Sequence, residues 1–97
     1  MATHWFLARI HELAEAEYGK TFADLLLYQQ KGESTNGTSK VFMLTNNPGG
    51  FTQGQKPNRS GARQPEEEGA NFYKEYDTPE QAYDDLKRSF FNYYPEI

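Results

Sequence analysis

Residues 29–40 read QQKGESTNGTSK, and this stretch joins two predicted helices through a polar turn. Apolar residues at helical spacing predict that the first helix runs from residue 22 to about residue 32. The segment 34–38 consists of Ser, Thr, Asn, Gly and Thr, a composition typical of a turn. A short helix is predicted over residues 39–44. Glu33 therefore lies where an apolar helix ends and a polar turn begins.

Two further helices are predicted near the ends of the chain. Apolar residues at helical spacing predict a helix over residues 5–18, which Gly19 can terminate as a C-terminal cap. Thr78, Pro79 and Gln81 have the order of an N-cap, a first helical residue and the last member of a capping box. The helix that follows Thr78 therefore has the clearest start signal of all the predicted elements.

The middle of the chain is polar and rich in Gly and Pro. Residues 51–69 form a stretch of this composition that is longer than most connections within compact domains, which indicates a functional loop or a small hairpin. Residues 71–76 are predicted to form a strand because Phe72, Tyr73 and Tyr76 favour strands. A partly β insertion over about residues 51–76 is therefore expected.

Composition and charge exclude several classes of protein. The 97 residues are predicted to form one domain, 1–97, and the absence of cysteine excludes a disulfide scaffold and a thiol nucleophile. The net charge of −4, without a basic run, argues against nucleic-acid binding. The longest apolar stretch, 23–28, is too short to cross a membrane. His4 and His11 lack acidic residues that would complete a ligand set, so no metal and no cofactor are expected.

Glu33 is the candidate catalytic residue, as a general acid. A carboxyl group at the edge of an apolar wall loses hydration when it ionises, which favours the protonated form that a general acid needs. The partial negative charge at the end of a helix acts in the same direction. The local pattern leaves an alternative open, since most glutamates at helix ends are solvated and have no chemical role.

The stretch 29–40 resembles the core motif of the glucosaminidase family of peptidoglycan-cleaving enzymes. In that motif a helix with Gln is followed by Glu-Ser, by Gly-x-Ser and by a short helix. The matching residues are Gln29, Glu33, Ser34, Gly37 and Ser39. Further matches to a phage and prophage branch of the family follow in order along the chain: Asn46, Asn47, Gly50, Phe51, Arg63, Pro65, Glu68, Gly69, Ala70, Asn71, Phe72, Tyr76, Asp77, Thr78, Asp84 and Asp85.

The resemblance implies a fold and an activity. The implied fold class is α+β and lysozyme-like, mostly helical with a small β-hairpin lobe across a groove. The implied activity is hydrolysis of the β-1,4 glycosidic bond after N-acetylglucosamine. The implied partners are peptidoglycan glycan strands, bound by a monomer.

The resemblance also implies roles for individual residues. The family's catalytic acid corresponds to Glu33, a groove tyrosine to Tyr76, and a second carboxylate to Glu68. The expected substrate-binding residues are Gln29, Ser34, Asn46, Asn47, Phe51 and Tyr73. Either of the two asparagines could instead stabilise the turn by capping backbone groups.

The sequence departs from the family pattern next to the proposed acid. The family's Gly-Trp-Gly is Thr35-Asn36-Gly37 here, so one aromatic platform for a sugar is missing. Gly32 stands where the family has a larger apolar residue. The alternatives are a muramidase or a lytic transglycosylase, a catalytically inactive wall-binding protein, and a phage-encoded inhibitor.

The expected location follows from the N-terminus and from the substrate. The first residues lack the basic flank and the apolar core of a signal peptide. Synthesis in the bacterial cytoplasm and action on the cell wall are therefore expected, as a component of a phage virion or of lysis.

Overall fold

The computed structural model describes residues 4–34, 37 and 39–94. Helix α1 spans Trp5–Tyr18 and helix α2 spans Lys20–Glu33. Gly19 alone separates them, with a φ of 92° that residues with a side chain rarely adopt. Its carbonyl already accepts a hydrogen bond from an amide of α2, so that helix begins two residues before the predicted start.

The last helix begins after the predicted cap Thr78, and the short helix before it begins one residue after its predicted start, with Ser39 as its cap. Helix α3 spans Lys40–Thr45, and Ser39 Oγ accepts a hydrogen bond from the third residue of the helix at 3.1 Å. Helix α4 spans Pro79–Tyr93, and Thr78 Oγ1 accepts from the Gln81 amide at 3.3 Å. The Gln81 side chain accepts from the amide one residue before the cap, which differs slightly from a regular capping box.

The core lies where α1 packs against α2 and α4. Phe22 of α2 contacts Phe90 edge to face and stacks on Phe91, with ring centroids 5.0 and 5.4 Å apart. Aromatic pairs of this kind stabilise a core beyond the area they bury. The buried apolar residues are Phe6, Leu7, Ile10, Ala14, Phe22, Ala23, Leu26, Phe42, Tyr76, Ala82, Tyr83, Leu86 and Phe90.

The prediction of an α+β, lysozyme-like fold with a β-hairpin lobe is wrong. The described residues contain four α-helices, a 3₁₀ turn at Glu66–Glu68 and no strand. The predicted strand over residues 71–76 is reduced to two isolated antiparallel bridges, one from Tyr73 to Thr52 and one from Phe72 to Arg63. The regular secondary structure of the described residues is therefore entirely helical.

The backbone of residues 51–75, here called the long loop, explains why no sheet forms. Gly54, Gly61 and Gly69 have positive φ, so the chain turns repeatedly before a ladder can extend. The Phe72 amide donates to the Gly54 carbonyl, whereas the next amide, that of Tyr73, donates to the Ala62 carbonyl. Because consecutive amides pair with different segments, neither pairing extends into a ladder. No residue of the long loop is buried, and hydrogen bonds shape it more than apolar packing does.

Within the described ranges, no helix is both long and apolar enough to cross a membrane.

Candidate functional site

A groove of about 500 Å³ lies between the C-terminal half of α2, the loop that follows α3, and the C-terminal half of α4. Residues 26–33 of α2 form one wall and residues 86–94 form the opposite wall. Pro48, Gly49 and Phe51 form the third side. The lining residues are Leu26, Tyr28, Gln29, Gln30, Gly32, Glu33, Pro48, Gly49, Phe51, Leu86, Ser89, Phe90, Tyr93 and Tyr94.

On both α2 and α4, the residues that line the groove continue a row of buried residues on the same face of the helix. On α4, Leu86, Phe90 and Tyr93 follow at spacings of four and three residues, so they share one face of the helix. The first two are buried, and Tyr93, which also lines the groove, is 77% exposed. On α2, Leu26 and Glu33 are separated by seven residues and also share a face. The helical periodicity that places Leu26, Leu86 and Phe90 in the core therefore also places Glu33 and Tyr93 along the groove.

Glu33 is the last residue of α2 and lines the groove. Its side chain is exposed, so the apolar wall expected around it is incomplete. A Cβ placed on Gly50 would lie 3.8 Å from Glu33 Oε2, which shows that the carboxylate faces the backbone of that glycine. No described side chain forms an ion pair or a hydrogen bond with the carboxylate.

Glu33 carries the only formal charge among the described residues that line the groove. The other lining residues supply aromatic rings, aliphatic groups, hydroxyls and amides. Such a mixture suits a neutral polar ligand with apolar faces, such as a sugar, because rings stack on apolar faces and polar groups orient the ligand. A lone carboxyl group at the rim can donate or accept one proton.

Asn47 organises the loop that forms the third side of the groove. Its Oδ1 accepts from the amides of Gly49 and Phe51, and its Nδ2 donates to the carbonyls of Phe51 and Lys74 at 2.7 and 2.9 Å. Asn46 has a left-handed φ of 56° and donates to the Tyr76 carbonyl at 3.0 Å. Neither asparagine lines the groove, and both side chains hydrogen-bond to backbone groups around the loop.

Gly49 allows this loop to approach α4 closely. A Cβ on Gly49 would lie 2.6 Å from Phe51 Cε2 and 3.1 Å from Leu86 Cδ2. The Phe51 ring, one of the expected substrate-binding groups, therefore reaches the groove only because residue 49 has no side chain.

Tyr76 lies in the core and does not line the groove. Its hydroxyl donates to Asp85 Oδ2 at 2.6 Å, and Lys74 Nζ donates to the same oxygen at 3.0 Å. Burial and the Asp85 carboxylate raise the pKa of Tyr76, which keeps the hydroxyl protonated. Burial alone would raise the pKa of Asp85, but hydrogen bonds from Tyr76 and Lys74 lower it overall.

Glu68 and Tyr73 are part of the long loop and do not line the groove either. Glu68 ends the 3₁₀ turn and is exposed. Tyr73 is half-buried, and its carbonyl accepts a hydrogen bond from the Asn58 side chain at 2.7 Å. The structure therefore does not bring the three residues expected to be catalytic into one groove.

Gln29 and Ser34, on either side of the proposed acid, have different surroundings. Gln29 is exposed and lines the groove. Ser34 is buried, donates its hydroxyl to the Gln30 carbonyl at 2.6 Å and accepts from the Gly37 amide at 3.1 Å. Ser34 therefore closes the end of α2 and fixes the backbone next to Glu33.

The groove also contains residues that are not among the expected catalytic and substrate-binding residues. Tyr28 and Tyr93 are 80% and 77% exposed, and Tyr94 packs on Tyr93 with ring centroids 4.8 Å apart. Gln30 lines the base of the groove and is almost completely buried. Helical spacing from Leu86 and Phe90 could have selected Tyr93, but the position of Gln30 depends on how α2 packs.

Among the described residues, no group of three His, Asp or Glu side chains could hold a metal ion. No protein-family model, curated protein or solved structure matches this chain.

Proposed function

We propose that this chain hydrolyses the β-1,4 glycosidic bond after N-acetylglucosamine in peptidoglycan, with Glu33 as the general acid. One observation carries the proposal: among the described residues, Glu33 holds the only carboxyl group in a groove otherwise lined by aromatic, aliphatic, hydroxyl and amide groups. The motif around Glu33 supports the same activity by resemblance.

The proposed reaction needs one proton donor from the protein. Glu33 protonates the bridging oxygen as the bond to the anomeric carbon breaks and positive charge develops on the sugar ring. Because no second carboxylate lines the groove among the described residues, the oxygen of the substrate's own acetamido group attacks the anomeric carbon. Water then opens the resulting ring, and Glu33 recovers its proton from that water.

Tyr76 does not line the groove, so in this scheme it does not contact the substrate. Its hydroxyl is bonded to Asp85, while its backbone holds the loop through its carbonyl and Asn46. Tyr76 is thus a positioning residue for the loop opposite Glu33. The substrate-binding groups of the proposal are Gln29, Phe51 and the exposed tyrosines.

A glycan-binding protein without catalytic activity is the second candidate. The observation that favours it is the absence of a second carboxylate from the described lining of the groove. Such a protein would bind glycan strands through the same aromatic residues and leave them intact.

The decisive experiment is digestion of purified bacterial peptidoglycan sacculi by wild type, Glu33→Gln and the control Glu67→Gln. Glu67 is an exposed carboxylate outside the groove, so its variant makes the same chemical change without touching the site. We expect wild type and Glu67→Gln to release fragments that end in reducing N-acetylglucosamine. We expect Glu33→Gln to lose at least about 100-fold in rate, the usual contribution of a positioned proton donor.

Other outcomes separate the alternatives. Fragments with an anhydro end would identify a lytic transglycosylase, and fragments that end in reducing N-acetylmuramic acid would identify a muramidase. Binding to sacculi without release of fragments, by folded protein, would favour the glycan-binding candidate. Glu68→Gln tests the long loop: a loss as large as that of Glu33→Gln would make Glu68 the second carboxylate.

A further inference from the structure

The base of the groove contains a buried hydrogen-bond acceptor that has no partner. Gln30 is 1% exposed, lies on α2 three residues before Glu33, and lines the groove. Its Nε2 donates to the Leu26 carbonyl at 3.0 Å. Its Oε1 is the one buried side-chain oxygen or nitrogen in the described part of the chain without a hydrogen-bond partner.

The orientation of the Gln30 amide follows from its surroundings. The Leu26 carbonyl is an acceptor and requires the NH₂ end of the amide. Exchanging the two ends would place two oxygens against each other and leave the NH₂ group without that acceptor. The oxygen is therefore the unpartnered atom.

An unpartnered buried oxygen destabilises the folded protein. A Met or Leu at position 30 would fill similar space without a polar atom to desolvate. The Leu26 carbonyl would lose little, because it also accepts the regular hydrogen bond within α2. Folding alone therefore gives no reason for a glutamine at this position, whereas a ligand with a hydrogen-bond donor does.

We infer that Gln30 Oε1 accepts a hydrogen bond from the acetamido N–H of an N-acetylated sugar bound in the groove. This inference rests on the proposed function and names the residue that would recognise the acetamido group. Such a group presents a single N–H donor beside a methyl group. The groove base matches both parts, because Gln30 supplies the acceptor and Leu26, Leu86 and Phe90 supply apolar surface.

Two features determine how this contact forms. Asn46 and Asn47 do not line the groove, and their side chains hydrogen-bond to backbone groups of the loop, so they do not compete for this role. Gln30 Oε1 is covered in the structure, so an incoming donor displaces the side chains above it while Nε2 keeps the Leu26 carbonyl as its acceptor. Ligand binding then supplies the hydrogen bond that the free groove lacks.

The test compares two neutral trisaccharides by isothermal titration calorimetry. The N-acetylglucosamine trisaccharide carries acetamido groups, and cellotriose carries hydroxyls at the same positions. Wild type is expected to bind the acetylated trisaccharide more tightly. Gln30→Met is expected to weaken that binding about tenfold, the effect of one lost hydrogen bond, and to leave cellotriose binding unchanged. Gln55→Met is the control, because it makes the same chemical change on an exposed side chain outside the groove.

The outcomes distinguish this inference from the proposed function. If Gln30→Met keeps the wild-type preference for the acetylated trisaccharide, the inference is overturned while the proposed function stands. If wild type binds neither trisaccharide and releases nothing from sacculi, both are overturned.

A measurement on wild type does not depend on how the variant folds. Addition of the acetylated trisaccharide is expected to shift the side-chain amide resonances of Gln30 in a ¹H–¹⁵N NMR spectrum. Resonances that stay unchanged at saturation would overturn the inference.

Discussion

Two glycines at the groove differ in the space around them. Gly49 is enclosed by Phe51 and Leu86, which a Cβ would approach to 2.6 and 3.1 Å. Gly32 lies in the last turn of α2, and a Cβ there would meet nothing within 4 Å. The same substitution by alanine is therefore expected to have opposite effects at the two positions.

Gly49→Ala is expected to lower the free energy of unfolding by about 1–3 kcal/mol, because the methyl group overpacks the contact between the loop and α4. Gly32→Ala is expected to raise it by about 0.5–1 kcal/mol, because alanine favours the helix over glycine. Urea unfolding followed by circular dichroism measures both, with the two variants as each other's control. Equal effects of the two substitutions would contradict the packing described at Gly49.

At the scale of elements, Asp85 joins the end of the long loop to α4. It accepts hydrogen bonds from Tyr76 at 2.6 Å and from Lys74 at 3.0 Å. Residues 74–76 in turn hold the loop that carries Pro48 to Phe51, since the Lys74 carbonyl accepts from the Asn47 side chain. One carboxylate of α4 therefore stabilises the wall that faces Glu33.

Asp85→Asn is expected to lower the free energy of unfolding by about 1–3 kcal/mol at pH 7, because the three donors Tyr76, Lys74 and Arg88 lose a charged acceptor. The folded-state pKa of Asp85 lies below its ordinary value, so this stabilisation is complete above the unfolded-state pKa of about 3.9. It is lost as the pH falls through the lower folded-state pKa. The difference between wild type and variant is therefore expected to shrink below about pH 4.

Denaturant unfolding at several pH values tests this prediction. Asp84→Asn is the matched control, because Asp84 is the exposed neighbour of Asp85 on the same helix. A stability difference for Asp85→Asn that stays constant from pH 7 to pH 3 would show that the Asp85 charge does not contribute.

At the scale of the whole molecule, the helices and the long loop are stabilised in different ways. Most of the buried apolar residues belong to α1, α2 and α4. The long loop contains no buried residue and is held by hydrogen bonds such as those of Asn58 to the carbonyls of Ala62 and Tyr73. Regions with few buried contacts open at lower free energy than the core.

Hydrogen exchange measured by NMR is expected to show this difference. The hydrogen-bonded amides of Gln53, Gln64 and Phe72 in the long loop should exchange by local opening. The amides of Ile10, Leu26 and Leu86, in the middle of α1, α2 and α4, should exchange only on global unfolding. Equal protection of the two sets would mean that the long loop folds as one cooperative unit with the helices.

The sequence alone determined where the helices lie and where the candidate acid stands. Helix boundaries depend on local features, namely helical spacing, the Thr78 cap and the turn at Gly19, and each acts within a few residues. Glu33 at the end of α2 follows from the same local reasoning, so its position at the helix end was predictable.

The tertiary structure decided what surrounds those elements. Whether residues 71–76 form a strand depends on partners such as Thr52 and Arg63, which lie outside the segment, and the glycines between them turn the chain too often for a ladder. The different positions of Tyr76 and Gln30 depend on how the helices and the long loop pack against one another. No local pattern records that packing, because burial is a property of contacts between distant parts of the chain.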